Sequence, residues 1–247
     1  MTFRSARLDE RFSSGGLDTE VWLPHYLPHW SSRAESRATY EVGEGRLRLS
    51  IPRDQGLWCP DTHDEPIRAS CLQSGTLDGQ QPFRPGLSVV EHQEPFWGCT
   101  PRYGEVGITM RGEVTARSMF AFWLSGIEDR PERSGEICVA EVFGSSVDRS
   151  SAEVGIGIHA FRDPGLEEDF TTERLSLDVS AFHDYAVTWL PGTVEFTIDG
   201  HVVRKLTQAP DYPVQLMLGV FDFPDRAVSP VVPVPVMEVK RVWVRPV

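Results

Sequence analysis

The chain has 247 residues, 40% hydrophobic and 24% charged, the composition of an ordinary folded protein rather than a disordered or fibrous one. That length buries a substantial core without metals or disulfides. A net charge of −12 with no cluster of Lys and Arg argues against nucleic acid and against an anionic membrane surface, since both require a basic patch.

Strand-like pieces recur along the chain with turn signals between them, and long helical periodicity is hard to find. Residues 46–51 alternate, Arg46-Leu47-Arg48-Leu49-Ser50-Ile51. The segment 58–97 is irregular and reads as long loops over a sheet rim, where binding residues often sit. Strands follow at 106–111 and at 119–124; the second is the continuous apolar run Met119-Phe120-Ala121-Phe122-Trp123-Leu124, typical of a strand covered on both faces. Further strands are predicted at 137–143, 154–159 and 185–189. The clearest hairpin pairs 194–198 with 201–203 around Asp199-Gly200, a dipeptide that accepts positive φ at both central positions. Residues 215–221 and 237–244 supply the last strands, and the proline-rich 224–235 between them reads as an extended loop. No repeat or linker interrupts the series, so one domain over 1–247 is expected, a sandwich or jelly roll.

Four cysteines, Cys59, Cys71, Cys99 and Cys138, match no common zinc spacing; one or two disulfides stay open. The first ten residues lack the apolar stretch of a signal peptide, and no run nears the roughly 18 apolar residues of a membrane-spanning helix. A cytoplasmic protein is expected, or a secreted one if a leader precedes Met1.

Within Ser134-Gly135-Glu136-Ile137-Cys138-Val139-Ala140-Glu141-Val142-Phe143-Gly144, Glu136 and Glu141 interrupt an apolar strand. Burying a carboxylate without a partner is costly, so the pair needs an explanation. Residues five apart in a regular strand face opposite sides. A β-bulge between them restores a common face. Two such carboxyls leaning together could approach the separation of about 5.5 Å at which one attacks a sugar and the other handles the proton. An edge strand with both glutamates in water is the competing reading.

These residues resemble glycoside hydrolase family 16, the laminarinase, lichenase and agarase group. The family signature Glu-x-Asp-x-(x)-Glu is matched in its longer form at both glutamates. Ser74-Gly75, Tyr103-Gly104-Glu105-Val106, Ala121-Phe122-Trp123-Leu124, Phe182 to Trp189 and Phe196-Thr197-Ile198-Asp199-Gly200 resemble its flanking segments in the same order. The resemblance implies an all-β, concanavalin A-like β-jelly-roll sandwich of two antiparallel sheets. It implies a retaining glycoside hydrolase acting on β-linked glucan or a related β-glycan, with Glu136 as nucleophile and Glu141 as acid/base. By the same resemblance Trp123 would offer a sugar ring an apolar platform, and His159 would be a cleft histidine. For both, a purely structural role stays open.

Cys138 replaces the family's central Asp and would point into the site beside Glu136. A thiol is a weak donor, mostly uncharged near neutral pH, so weakened turnover is expected. As a nucleophile it is disfavoured, because two nearby carboxylates raise its pKa. Met119-Phe120-Ala121 also replaces the family's Trp-Pro-Ala. Trp58, Phe96 and Trp97 could line the cleft ends and stack on sugars, whereas Trp22, Trp30 and Trp243 look structural and His183 looks like a support for the fold. Many family members carry calcium, yet no dense acidic cluster places one here, so no metal and no cofactor is expected. Two further functions stay open: an intracellular enzyme with its cleft adapted to another small substrate, such as a glycosylated metabolite, and a non-hydrolytic carbohydrate-binding protein.

Overall fold

The computed structural model describes residues 7–61, 63, 65–77, 87–226 and 233–247. The alternating and continuously apolar segments form strands throughout. In chain order these are β1 (Leu8–Glu10), β2 (Thr39–Gly43), β3 (Arg46–Ser50), β4 (Arg68–Gln73), β5 (Gly75–Thr76), β6 (Phe96–Trp97), β7 (Gly104–Glu113) and β8 (Ser118–Gly126). There follow β9 (Glu136–Phe143), β10 (Ala152–His159), β11 (Asp169–Leu175), β12 (His183–Leu190), β13 (Thr193–Ile198), β14 (His201–Leu206), β15 (Val214–Asp222) and β16 (Val236–Arg245).

They assemble into two antiparallel sheets. The eight-stranded sheet runs β14-β13-β12-β7-β16-β3-β2, with β1 also on β16; the six-stranded sheet runs β11-β10-β9-β8-β15-β4; β5 and β6 form a separate ribbon. Between the sheets, Val106 and Ile108 of β7 and Val239 and Val242 of β16 belong to one core with Phe120, Phe122 and Leu124 of β8 and Val139 of β9. Each such side chain contributes about 1.5–3 kcal/mol when fully buried. The expected all-β jelly-roll sandwich is present.

Strand β8 is buried along its whole length because its outer face is covered too. There Met119, Ala121 and Trp123 pack with Trp30, Trp58 and Phe221 in a second apolar cluster. The predicted hairpin joins β13 to β14, with Asp199 at φ 48 and Gly200 at φ 76, as the turn requires. His183 supports this corner: Nδ1 lies 2.7 Å from Asp199 Oδ2 and Nε2 3.0 Å from the Asp178 carbonyl.

The segment 58–97 is less irregular than its sequence suggests. It contains β4, which pairs with β15 from Gln73↔Met217 to Arg68↔Asp222, while Leu23 bridges Gln73 on the other side. Arg68-Ala69-Ser70-Cys71-Leu72-Gln73 shows no apolar alternation, since the N-terminal segment buries its outer face as well. All four cysteines are free and buried, so the option of disulfides falls away. Of the predicted loop 224–235, residues 227–232 lie outside the described residues.

Candidate active site

The site is built on β9. Against β10 the pairing runs His159↔Glu136, Ile158↔Ile137, Gly157↔Cys138 and then Gly155↔Glu141. Two steps on β10 thus match three on β9. Against β8, Trp123 faces Cys138 and Phe122 faces Ala140. Both neighbours therefore see an extra residue in β9, at Val139–Ala140. Those two side chains both join the core between the sheets. Cys138 belongs to the outer apolar cluster, and Glu136 and Glu141 line one cleft on that outer face. The bulge does what the sequence argument required of it, returning both carboxylates to one side.

Each glutamate has the neighbours its size demands. Glu141 lies between Ala121 of β8 and Gly155 of β10. A Cβ at Gly155 would come within 3.2 Å of Glu141 Cβ and 2.4 Å of Phe170 Cζ, so only glycine leaves that carboxylate its space. Glu136 lies between Ser125 and His159. The strand start is pinned by Tyr212, whose hydroxyl accepts the Gly135 N–H at 2.8 Å and donates to Asp163 Oδ2 at 2.6 Å.

Burial controls the electrostatics. It pushes Glu136 up to about 8 from an ordinary 4.5, with the charges of Glu141 and Glu128 adding to the rise. Hydrogen bonds from the Ser125 hydroxyl and the Trp123 indole oppose it. Glu141 is also raised by burial, while a hydrogen bond from the Cys138 thiol and the charge of His159 pull it back. Cys138 is pushed well above the usual thiol range, first by burial and then by the two carboxylates. Such a thiol stays protonated and is a poor nucleophile.

The cleft holds about 320 Å³, the small end of the range for ligand sites. One wall is aromatic. Tyr26 stands 4.8 Å from Trp58, 5.3 Å from Phe221 and 6.4 Å from Trp123 between ring centroids. Met119, Met217 and Phe223 extend this wall, and the opposite end is polar, with Ser134 and the Glu128–Arg162 ion pair at 2.6 Å. Phe161, 54% exposed, stands at the rim.

The sequence-predicted residues are only partly brought together. Glu136, Glu141 and Trp123 line the cleft, and Cys138 sits between the glutamates on the same face. His159 flanks the pair without being part of the cleft lining; its ring is held by Glu168, at 2.5 Å from Nδ1, and stacks on Phe170 at 4.6 Å. Trp58 lines the cleft, but Trp97 and Phe96 do not. Trp97 is 37% exposed on the β5–β6 ribbon opposite Gly75, beyond the end of β4, so its expected place in the cleft is corrected. Trp30, expected to be structural alone, lines the cleft while remaining almost fully buried. Tyr26, Phe161 and Arg162 were not anticipated. No local pattern marks them, because non-local packing brings them to β9.

The family "Glycosyl hydrolases family 16" matches residues 100–228, just over half of the chain and including all of β7 to β15. No curated protein matches by sequence. Among solved structures, the chain is similar to a GlcNAcα1-4Gal-releasing endo-β-galactosidase from Clostridium perfringens, with 25% identity and a TM-score of 0.82 over 98% of this chain. The chain spans 63% of that protein's length. It is also similar to a β-glucanase from Bacillus licheniformis, at 15% identity and a TM-score of 0.64, covering 97% of this chain and 98% of the other. A third likeness is to the laminarinase catalytic domain from Thermotoga petrophila, at 17% identity and a TM-score of 0.65, covering 97% and 96%. With the fold and the matched segment agreeing, the chain belongs to the family 16 glycosyl hydrolases.

Proposed function

We propose that the chain is a retaining glycoside hydrolase acting on a β-linked glycan, with Glu136 as nucleophile and Glu141 as acid/base. The observation that carries this reading is the bulge in β9, which sets two half-buried carboxyls on one face, lining one sugar-sized cleft. Glu136 attacks the anomeric carbon as its carboxylate, a form that gains population as pH rises toward about 8, and a glycosyl ester forms as the glycosidic bond breaks. Glu141 gives its proton to the departing oxygen. In the second half, Glu141 takes a proton from water as that water's oxygen attacks the anomeric carbon, and the carboxylate of Glu136 is released. The aromatic wall and the exposed ring of Phe161 suit the apolar faces of sugars.

The greater likeness to the C. perfringens endo-β-galactosidase than to the two glucanases supports a β-galactoside-containing glycan ahead of a glucan. A glycoside with an apolar aglycone is the second reading, favoured by Met119, Met217, Phe221 and Phe223 along one wall. A panel of β-galactans, β-glucans and aryl β-glycosides separates them. Glu136→Gln and Glu141→Gln are each expected to lower reducing-end release about 100-fold or more. Full activity in either variant, or wild-type inactivity on every member of the panel, overturns the proposal.

A further inference from the structure

We propose that Cys138, Glu141 and His159 form a binding site for a thiophilic divalent cation of the zinc class, beside the cleft and sharing Glu141 with its lining. The Sγ of Cys138, a carboxylate oxygen of Glu141 and a ring nitrogen of His159 all lie within 4.8 Å of one another. Among the described residues, no other group of three His, Cys, Asp or Glu side chains converges in this way. Thiolate, carboxylate and imidazole are the ligands zinc takes. Bonds of about 2.0–2.3 Å in a tetrahedron put ligand atoms about 3.5 Å apart. A contraction of at most about 1.3 Å therefore closes the site.

The site is also supported from behind. His159 Nδ1 is engaged by Glu168 Oε1 at 2.5 Å, and the other Glu168 oxygen accepts the Ala160 N–H at 3.0 Å. Phe170 stacks on the imidazole, with an interplanar angle of 23°. The ring is thus fixed in plane and rotation, and Nε2 is the nitrogen left for a ligand bond. Metal-binding histidines are typically held by a carboxylate in this manner. The same bulge that aligns the glutamates sends Val139 and Ala140 inward, which makes Cys138 and Glu141 neighbours on the outer face. Three protein ligands leave a fourth position for water or another small ligand.

Binding forms bonds from the ion to Sγ, to a Glu141 oxygen and to Nε2, and the thiol proton passes to solvent together with the proton of Glu141 where that carboxyl carries one. If Glu141 is the acid/base, a clause of the proposal that rests on the function above, the bound ion takes the oxygen lone pair that must carry the proton. Hydrolysis then stops until the ion is removed.

Chelator-treated protein titrated with Co2+ provides a readout independent of turnover. A thiolate-to-cobalt charge-transfer band saturating at one ion per chain is expected, displaced by Zn2+ and lost in Cys138→Ser. Glu168→Gln should weaken Co2+ and Zn2+ binding about 10- to 100-fold while keeping the band. Inhibition by Zn2+ should follow the same saturation curve and be reversed by EDTA. Absence of the band, or an unchanged band in Cys138→Ser, overturns the site. A Cys138-dependent band with hydrolysis unaffected by saturating Zn2+ supports the site and overturns the inhibition, together with the acid/base role of Glu141.

Discussion

Replacing Glu136 with Gln should flatten the dependence of stability on pH. In the folded chain burial carries this carboxyl up to about 8, against an ordinary 4.5. Between those values the unfolded chain binds fewer protons than the folded one, so the wild type loses stability as pH rises. The loss is under about 1 kcal/mol near pH 5 and reaches about 4.5 kcal/mol near pH 8.5, a difference of about 4 kcal/mol. Glutamine has similar volume and no titration, so Glu136→Gln escapes this loss. Glu141, raised in the same sense, is present in both proteins and largely cancels from the comparison. Urea unfolding of chelator-treated wild type and variant across this pH range measures the effect directly. Two stability curves that stay parallel to within about 0.5 kcal/mol would refute the claim that the fold holds this carboxyl in a strongly desolvated position.

Three other substitutions test the frame around the pair. Cys138→Asp removes a thiol that donates to ionised Glu141 and adds a like charge, both of which raise the pKa of Glu141; with Glu141 in the proposed acid/base role, hydrolysis should increase and the alkaline limb of its pH profile should move up, and an equal or lower rate with an unmoved limb counts against it. Gly155→Ala forces a methyl against Phe170 and Glu141; a loss of about 1–3 kcal/mol is expected in thermal melts, with kcat down about tenfold or more from the displaced carboxyl. Wild-type melting and turnover would dismiss that steric argument. Tyr212→Phe strips the Gly135 N–H of its acceptor and should cost about 1–3 kcal/mol, read by denaturant midpoint; an unchanged midpoint would show that the start of β9 is held by other contacts.

Much of the sandwich was legible because its signals are local. The apolar run of β8 and the Asp199-Gly200 turn each state their structure within a few residues, and the two glutamates that interrupt an apolar strand line the cleft. The extra residue in β9 was also inferable, since two carboxyls five apart cannot otherwise share a face. What escaped was set by distance along the chain. Strand β4 lacks alternation because Trp30 and Trp58 cover a face that would elsewhere be polar. Trp30 and Trp97 both sit in loop-like sequence, and nothing adjacent to either tells which one folds beneath the N-terminal wall and which one remains at the surface.

The kink in β9 has a consequence for how such chains can differ in length. Val139 and Ala140 occupy the inner side together, so one of them is surplus to the pleat. Excising one would leave Glu136 and Glu141 four positions apart in an even ladder, still turned the same way. Carboxylate alignment in this chain is therefore a property of strand pairing and tolerates a change in residue count, so long and short versions of the strand can present one and the same acidic couple.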